Sequence, residues 1–169
     1  LYQHKEDGRL VMQQLPVATH CTTLSVSNNV TDSAAAATAI ATGHKTENRF
    51  LGLTPDKSRL ATFAEVARKQ GRGIGIITSD SITGATPAGF YAHINSRGSY
   101  SEVANWAASS GFDILIGNAS GKGWFIPKAE GGQRDDARQL MNDMTAAGYA
   151  VIENREAFAQ LPQDKRVLG

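Results

Sequence analysis

Asp113-Ile114-Leu115-Ile116-Gly117 places three consecutive apolar side chains between a carboxylate and a glycine. Side chains alternate faces along a strand, so an unbroken apolar run has to be buried on both sides. Gly73-Ile74-Gly75-Ile76-Ile77-Thr78 and Tyr149-Ala150-Val151-Ile152 read the same way. The glycines of the first of these suggest close backbone contact. Between the strands lie helical patterns. Leu60, Phe63, Val66 and Ala67 share one face of a predicted helix over 60–70 that stops at Gly71. A helix over 101–108 turns Val103, Trp106 and Ala107 inward, and another over 135–147 is closed by Gly148. Asn154 caps a short helix through Phe158, and the Gly-rich stretch 117–132 reads as loop. Alternating helices and doubly apolar strands predict an α/β fold, a mostly parallel sheet covered by helices. No internal boundary interrupts it, so residues 1–169 are expected to form one domain.

The composition agrees with a packed domain: 41% hydrophobic and 20% charged residues in 169, with a net charge of +1. That balance gives no field for nucleic acid, and no basic run reads as a binding tail. No apolar run reaches the length of a membrane span, and the first residues do not resemble a signal peptide. Cys21 is the only cysteine, so no internal disulfide forms, and the redox compartment stays open.

Chemistry concentrates in Val30-Thr31-Asp32-Ser33-Ala34-Ala35-Ala36-Ala37-Thr38. Asp32 is a helix cap, and the helix runs to Thr42 before Gly43. Ser33 therefore sits in the first turn of a helix built from the smallest side chains. Unpaired N–H groups there favour an alkoxide or a bound phosphate, and the small residues let another backbone, a metal or a substrate approach. Taken alone, Asp-Ser-Ala is more simply a cap followed by a structural serine. Ordered blocks elsewhere reverse that reading: Gly43-His44-Lys45-Thr46-Glu47-Asn48, Ala85-Thr86-Pro87-Ala88-Gly89-Phe90-Tyr91-Ala92-His93 with Ser96-Arg97, Phe112–Gly117 with Trp124-Phe125-Ile126-Pro127, and Gly148–Val151 with Lys165-Arg166-Val167-Leu168-Gly169.

Together these blocks resemble the alkaline phosphatases, in order and over nearly the whole chain. The resemblance implies phosphate-monoester hydrolysis, with Ser33 attacking phosphorus to form a phosphoserine and also binding one zinc. It implies that Arg97 grips two phosphate oxygens, that Asp32 orients Arg97, and that Thr86 serves a third, magnesium-type site. Two positions before Thr86 such enzymes carry Asp or His, where this chain has Gly84. The resemblance further implies a small phosphate-ester substrate, a homodimer and a periplasmic or extracellular location. His93 reads as structural, His44 and Lys45 as cations beyond a helix C-terminus, and Asp135 and Asp136 as helix-start charges. His4 and His20 have no ligand-like spacing, and Trp106, Trp124 and Phe125 read as packing.

The remaining zinc and magnesium ligands of such enzymes come from motifs absent here. Asp7-Gly8 continues as Arg9-Leu10 and does not match the metal loop. A helix N-terminus stabilises negative charge by about 0.3–2 kcal/mol. A metal that lowers the pKa of bound water from about 15.7 to about 7 contributes roughly 12 kcal/mol. The 169 residues alone are therefore expected to be an incomplete portion with little or no turnover. The rival readings are weaker: Thr31-Asp32-Ser33-Ala34-Ala35 lacks the glycines of an esterase elbow, and Ala35 stands where sulfatases carry Pro. A phosphotransferase, a phosphodiesterase, or a phosphate-binding or structural domain without metals are the alternatives.

Overall fold

The computed structural model describes residues 14–17, 19–161 and 164–169, so the readings made for His4 and for Asp7-Gly8 lie outside the described residues. Four short strands form one parallel sheet: β1 (Gly75–Ile77), β2 (Ile114–Ile116), β3 (Tyr149–Val151) and β4 (Arg166–Leu168), in the order β1-β2-β4-β3. Leu115 of β2 pairs with Ile76 on one side and Leu168 on the other, and it is fully buried. The parallel α/β architecture is the one expected.

Strand β4 was not predicted. Three residues beginning with Arg166 offer no periodicity to read, yet this strand sits between β2 and β3 with Val167 and Leu168 buried. The expected burial of β1 is corrected too. It is one of the two outer strands of the described sheet, and Ile77 is 69% exposed. Nor do its glycines mark close contact: a Cβ at Gly73 or Gly75 would meet neighbours at ordinary distances of 3.7 and 3.5 Å. The tight approach is at Gly117, where a Cβ would lie 2.5 Å from Ile82 N and 2.9 Å from Asp80 O. The loop following β1 thus rests on the end of β2, where Asn118 N–H also donates to Asp80 O at 2.9 Å. That loop leads into α3 (Ala85–Ala88).

Helix α1 (Ser33–Thr42) buries Ala34, Ala35, Ala37, Thr38 and Ala41 and ends at Gly43, whose φ of 76° is the left-handed geometry of a C-terminal cap. Its small side chains receive α3 at backbone distance: a Cβ at Gly89, the residue ending α3, would lie 2.6 Å from Ala37 Cβ. Helix α2 (Phe63–Lys69) starts later than predicted because Thr62 and Glu65 close a capping box. Its buried face is also different: Ala64 is inside, while Phe63 and Val66 are 58% and 44% exposed. Helix α4 (Tyr100–Ser109) buries Val103, Ala104 and Ala107 against the core of Phe112, Leu115, Phe125, Leu140 and Met144.

Helix α5 (Leu140–Ala146) begins five residues after the predicted start at Asp135. Asp135 and Asp136 are not helix-start charges. Asp135 pairs with Lys128, and Asp136 takes two bonds from Arg134, at 2.8 and 2.6 Å. Arg134 is 0% exposed, and all five of its donors are used, the others going to Ser101 O, Trp124 O and Asn105 Oδ1. The stretch expected as loop holds two 3₁₀ turns, Ala119–Phe125 and Lys128–Glu130. Helix α6 (Arg155–Ala159) is capped by Asn154, as expected. Among the described residues no helix is long and apolar enough to cross a membrane.

Candidate active site

The site is assembled around the first turn of α1. Asp32 Oδ1 accepts from Ala35 N–H at 2.9 Å, the capping bond its sequence position predicts. Its other oxygen, Oδ2, accepts from Arg49 N–H at 3.1 Å and from Arg97 Nη1 at 3.3 Å. Arg97 Nη1 also donates to Ser33 Oγ at 2.6 Å. Asp32, Ser33 and Arg97, up to 65 residues apart in sequence, therefore meet in one place. Burial pushes the Asp32 carboxyl up, but the bonds from Ala35, Arg49 and Arg97 and the charge of Arg97 outweigh it, so its pKa lies below the usual carboxylate value. Arg97 Nε and Nη2 make no hydrogen bond among the described residues, which leaves donors for a ligand.

Two further segments hold this geometry. Leu51 and Ile94 exchange backbone hydrogen bonds at 2.8 and 3.0 Å, and Arg97 N–H donates to Arg49 O at 2.9 Å. This zipper carries Arg97 back to α1. Just before it, His93 is locked in place: Nδ1 lies 2.9 Å from Gly52 O, Nε2 lies 3.0 Å from Glu65 Oε1, and the ring packs edge-on against Trp106. Asn48 secures the turn before the helix, with Oδ1 accepting from Asp32 N–H and Nδ2 donating to Val30 O, at 3.1 and 3.0 Å. The sequence reading missed Asn48 and Arg49 as site residues. Their proximity depends on the turn after α1, and neither type at that spacing signals chemistry.

Thr86 lies exposed on α3, which packs on α1, and among the described residues no hydrogen bond joins it to Ser33 or Arg97. The resemblance implies zinc and magnesium, and the described residues do not make such a site. Ser33 and Thr86 offer neutral hydroxyls, and among the described residues no group of three or more His, Cys, Asp or Glu side chains could hold an ion. At Gly84 the space for a side chain is taken: a Cβ there would lie 2.6 Å from Asp80 Oδ2. A cavity at the ends of β2, β3 and β4 is lined by Gly117, Lys122, Phe125, Val151 and Leu168, and none of the predicted site residues reaches it.

The family model "Alkaline phosphatase" matches residues 2–169. Alkaline phosphatase 4 of Bacillus subtilis (strain 168) is 34% identical over 147 residues, spanning 83% of this chain and 30% of the relative. The crystal structure of a cold-active alkaline phosphatase from the psychrophile Shewanella sp. superposes with a TM-score of 0.83 at 27% identity, covering 99% of this chain and 39% of that one. A variant of the TAB5 alkaline phosphatase with Mg bound in its M3 site superposes with a TM-score of 0.73 at 27% identity, covering 86% of this chain and 40% of that one. The chain thus spans well under half the length of these relatives. Sequence and fold agree along its length, and the chain belongs to the alkaline phosphatase family.

Proposed function

We propose that the protein carrying this chain hydrolyses phosphate monoesters through a phosphoserine on Ser33. The observation that carries this reading is the 2.6 Å bond donated by Arg97 Nη1 to Ser33 Oγ beside the Asp32 carboxylate. Ser33 Oγ gives up its proton to water and attacks phosphorus; the new Ser O–P bond forms while the P–O bond to the alcohol breaks, and the departing alkoxide takes up a proton from water. The hydrogen bond from Arg97 and the N-terminal dipole of α1 both stabilise negative charge developing on Oγ. Arg97 Nε and Nη2 are the donors for the phosphate oxygens, and Asp32 holds the guanidinium in place. Water then cleaves the Ser O–P bond and releases phosphate. Zinc and magnesium, with ligation by Ser33 and Thr86, belong to the proposal through the resemblance; they need carboxylate and imidazole ligands beyond those described. A homodimer exported to the periplasm or outside the cell is the matching expectation. The second reading, a phosphate-binding segment without turnover, uses the same Ser33–Arg97 pair.

Acid-quench trapping with a phosphorus-labelled aryl phosphate tests the first reading. The protein should trap phosphoserine, and Ser33→Ala should trap none while still binding phosphate. Arg97→Ala should keep the nucleophile and weaken phosphate binding by roughly ten- to a hundredfold, the worth of a bidentate charged contact of about 1.5–3 kcal/mol. A phosphoenzyme that survives Ser33→Ala would exclude Ser33 as nucleophile. Phosphate binding with no phosphoenzyme in the parent would favour the second reading.

A further inference from the structure

Arg49 occupies a conformation that its side chain does not favour. Its φ is 74°, in the left-handed region where glycine is comfortable and a long side chain is not. Lys57 is the other non-glycine residue with positive φ among the described residues, and it lies in the exposed turn closed by Lys57 N–H to Thr54 O. At Arg49 the backbone is fixed by the site itself: its N–H donates to Asp32 Oδ2 and its carbonyl accepts from Arg97 N–H. Glycine would make both bonds without strain, so the backbone role does not account for an arginine there. Among the described residues the guanidinium makes no hydrogen bond and no ion pair, and it lies against Gly98, with Nη2 3.4 Å from where a Cβ on that glycine would stand. Asp32 and Arg97 pair with each other, and Arg49, whose backbone bonds to both, adds a further positive charge beside Gly98 on the segment that carries Arg97.

We propose that Arg49 is a specificity-determining residue that binds a second anionic group, a carboxylate or another phosphate, on the alcohol part of the ester. The inference rests on the reading of Ser33 and Arg97 as the phosphate site. Its substrates are then phosphate monoesters carrying an additional negative charge, bound by Arg97 and by Arg49, whose backbones are joined by a hydrogen bond.

Arg49→Gly isolates the side chain, because glycine accepts the backbone geometry and keeps both hydrogen bonds. Calorimetric titration of the protein with methylphosphonate and with phosphonoacetate, which adds a carboxylate, reads the effect. The parent should bind phosphonoacetate about tenfold more tightly than methylphosphonate, the scale of one charge-assisted contact. Arg49→Gly should abolish that preference by weakening phosphonoacetate about tenfold more than methylphosphonate, and Arg49→Lys should retain part of it. Equal affinity for both probes in the parent, or a preference that survives Arg49→Gly, overturns the proposal. Methylphosphonate affinity that is undiminished by Arg97→Ala, or absent in the parent, overturns the phosphate site itself and this inference with it. Thermal unfolding of Arg49→Gly should occur no lower than in the parent, which separates loss of recognition from loss of fold.

Discussion

Asp32 does three jobs with one carboxylate: it caps α1, anchors Arg49 N–H and braces Arg97. Capping was legible in the residues themselves, because an Asp before a run of alanines is a local signal; the bond to Arg97 was an expectation of the family resemblance alone. The other two bonds depend on residues 17 and 65 positions away. Asp32→Asn keeps an oxygen for the cap, whereas Asp32→Ala removes it. Urea unfolding should show a loss of about 1 kcal/mol for alanine and only a few tenths for asparagine. Equal losses would mean that the charge toward Arg97, and not the cap, dominates the stability of this turn.

Between elements, the network joining α2 to the segment before Arg97 is sensitive to pH. Glu65 completes the capping box of α2 and also meets His93 and Arg59. Burial pushes its carboxyl up, but the bonds from Thr62 N–H, His93 and Arg59 outweigh that and hold its pKa below the ordinary value. A carboxyl depressed in the folded state adds stability above its unfolded pKa, and the contribution is lost as pH falls through the folded one. Unfolding midpoints should therefore drop as pH falls from about 5 to about 3, and Glu65→Gln should show a shallower drop. Parallel profiles for the two proteins would contradict this. The same network shows why His93 could be read as structural but its partner could not. Glu65 is 28 residues away, and tertiary packing brings the two chain segments together, with Thr62 Oγ1 donating to Phe90 O and Phe63 edge-on against Phe90.

Across the molecule, Arg134 joins the turn ending at Phe125, helix α4 and the approach to α5 through Trp124 O, Ser101 O, Asn105 and Asp136. Arg134→Leu would leave these acceptors unpaired at about 1–3 kcal/mol each. A loss of roughly 3 kcal/mol or more in denaturant stability is expected; a loss below about 1 kcal/mol would show that water replaces the guanidinium without difficulty. This hub, strand β4 and the late start of α5 share one cause for having escaped the sequence reading. Each depends on contacts between distant segments, whereas periodicity and caps report only near neighbours. By itself, the sequence determined the α/β alternation, the capped alanine helix carrying Ser33, and the ordered blocks that resemble alkaline phosphatases, because apolar runs, small residues and caps act within a few positions. Only the tertiary structure decided the strand order, the buried Arg134, and the meeting of Asp32, Ser33, Arg49 and Arg97, since a charged side chain acquires its partner only when the backbone has been packed into place.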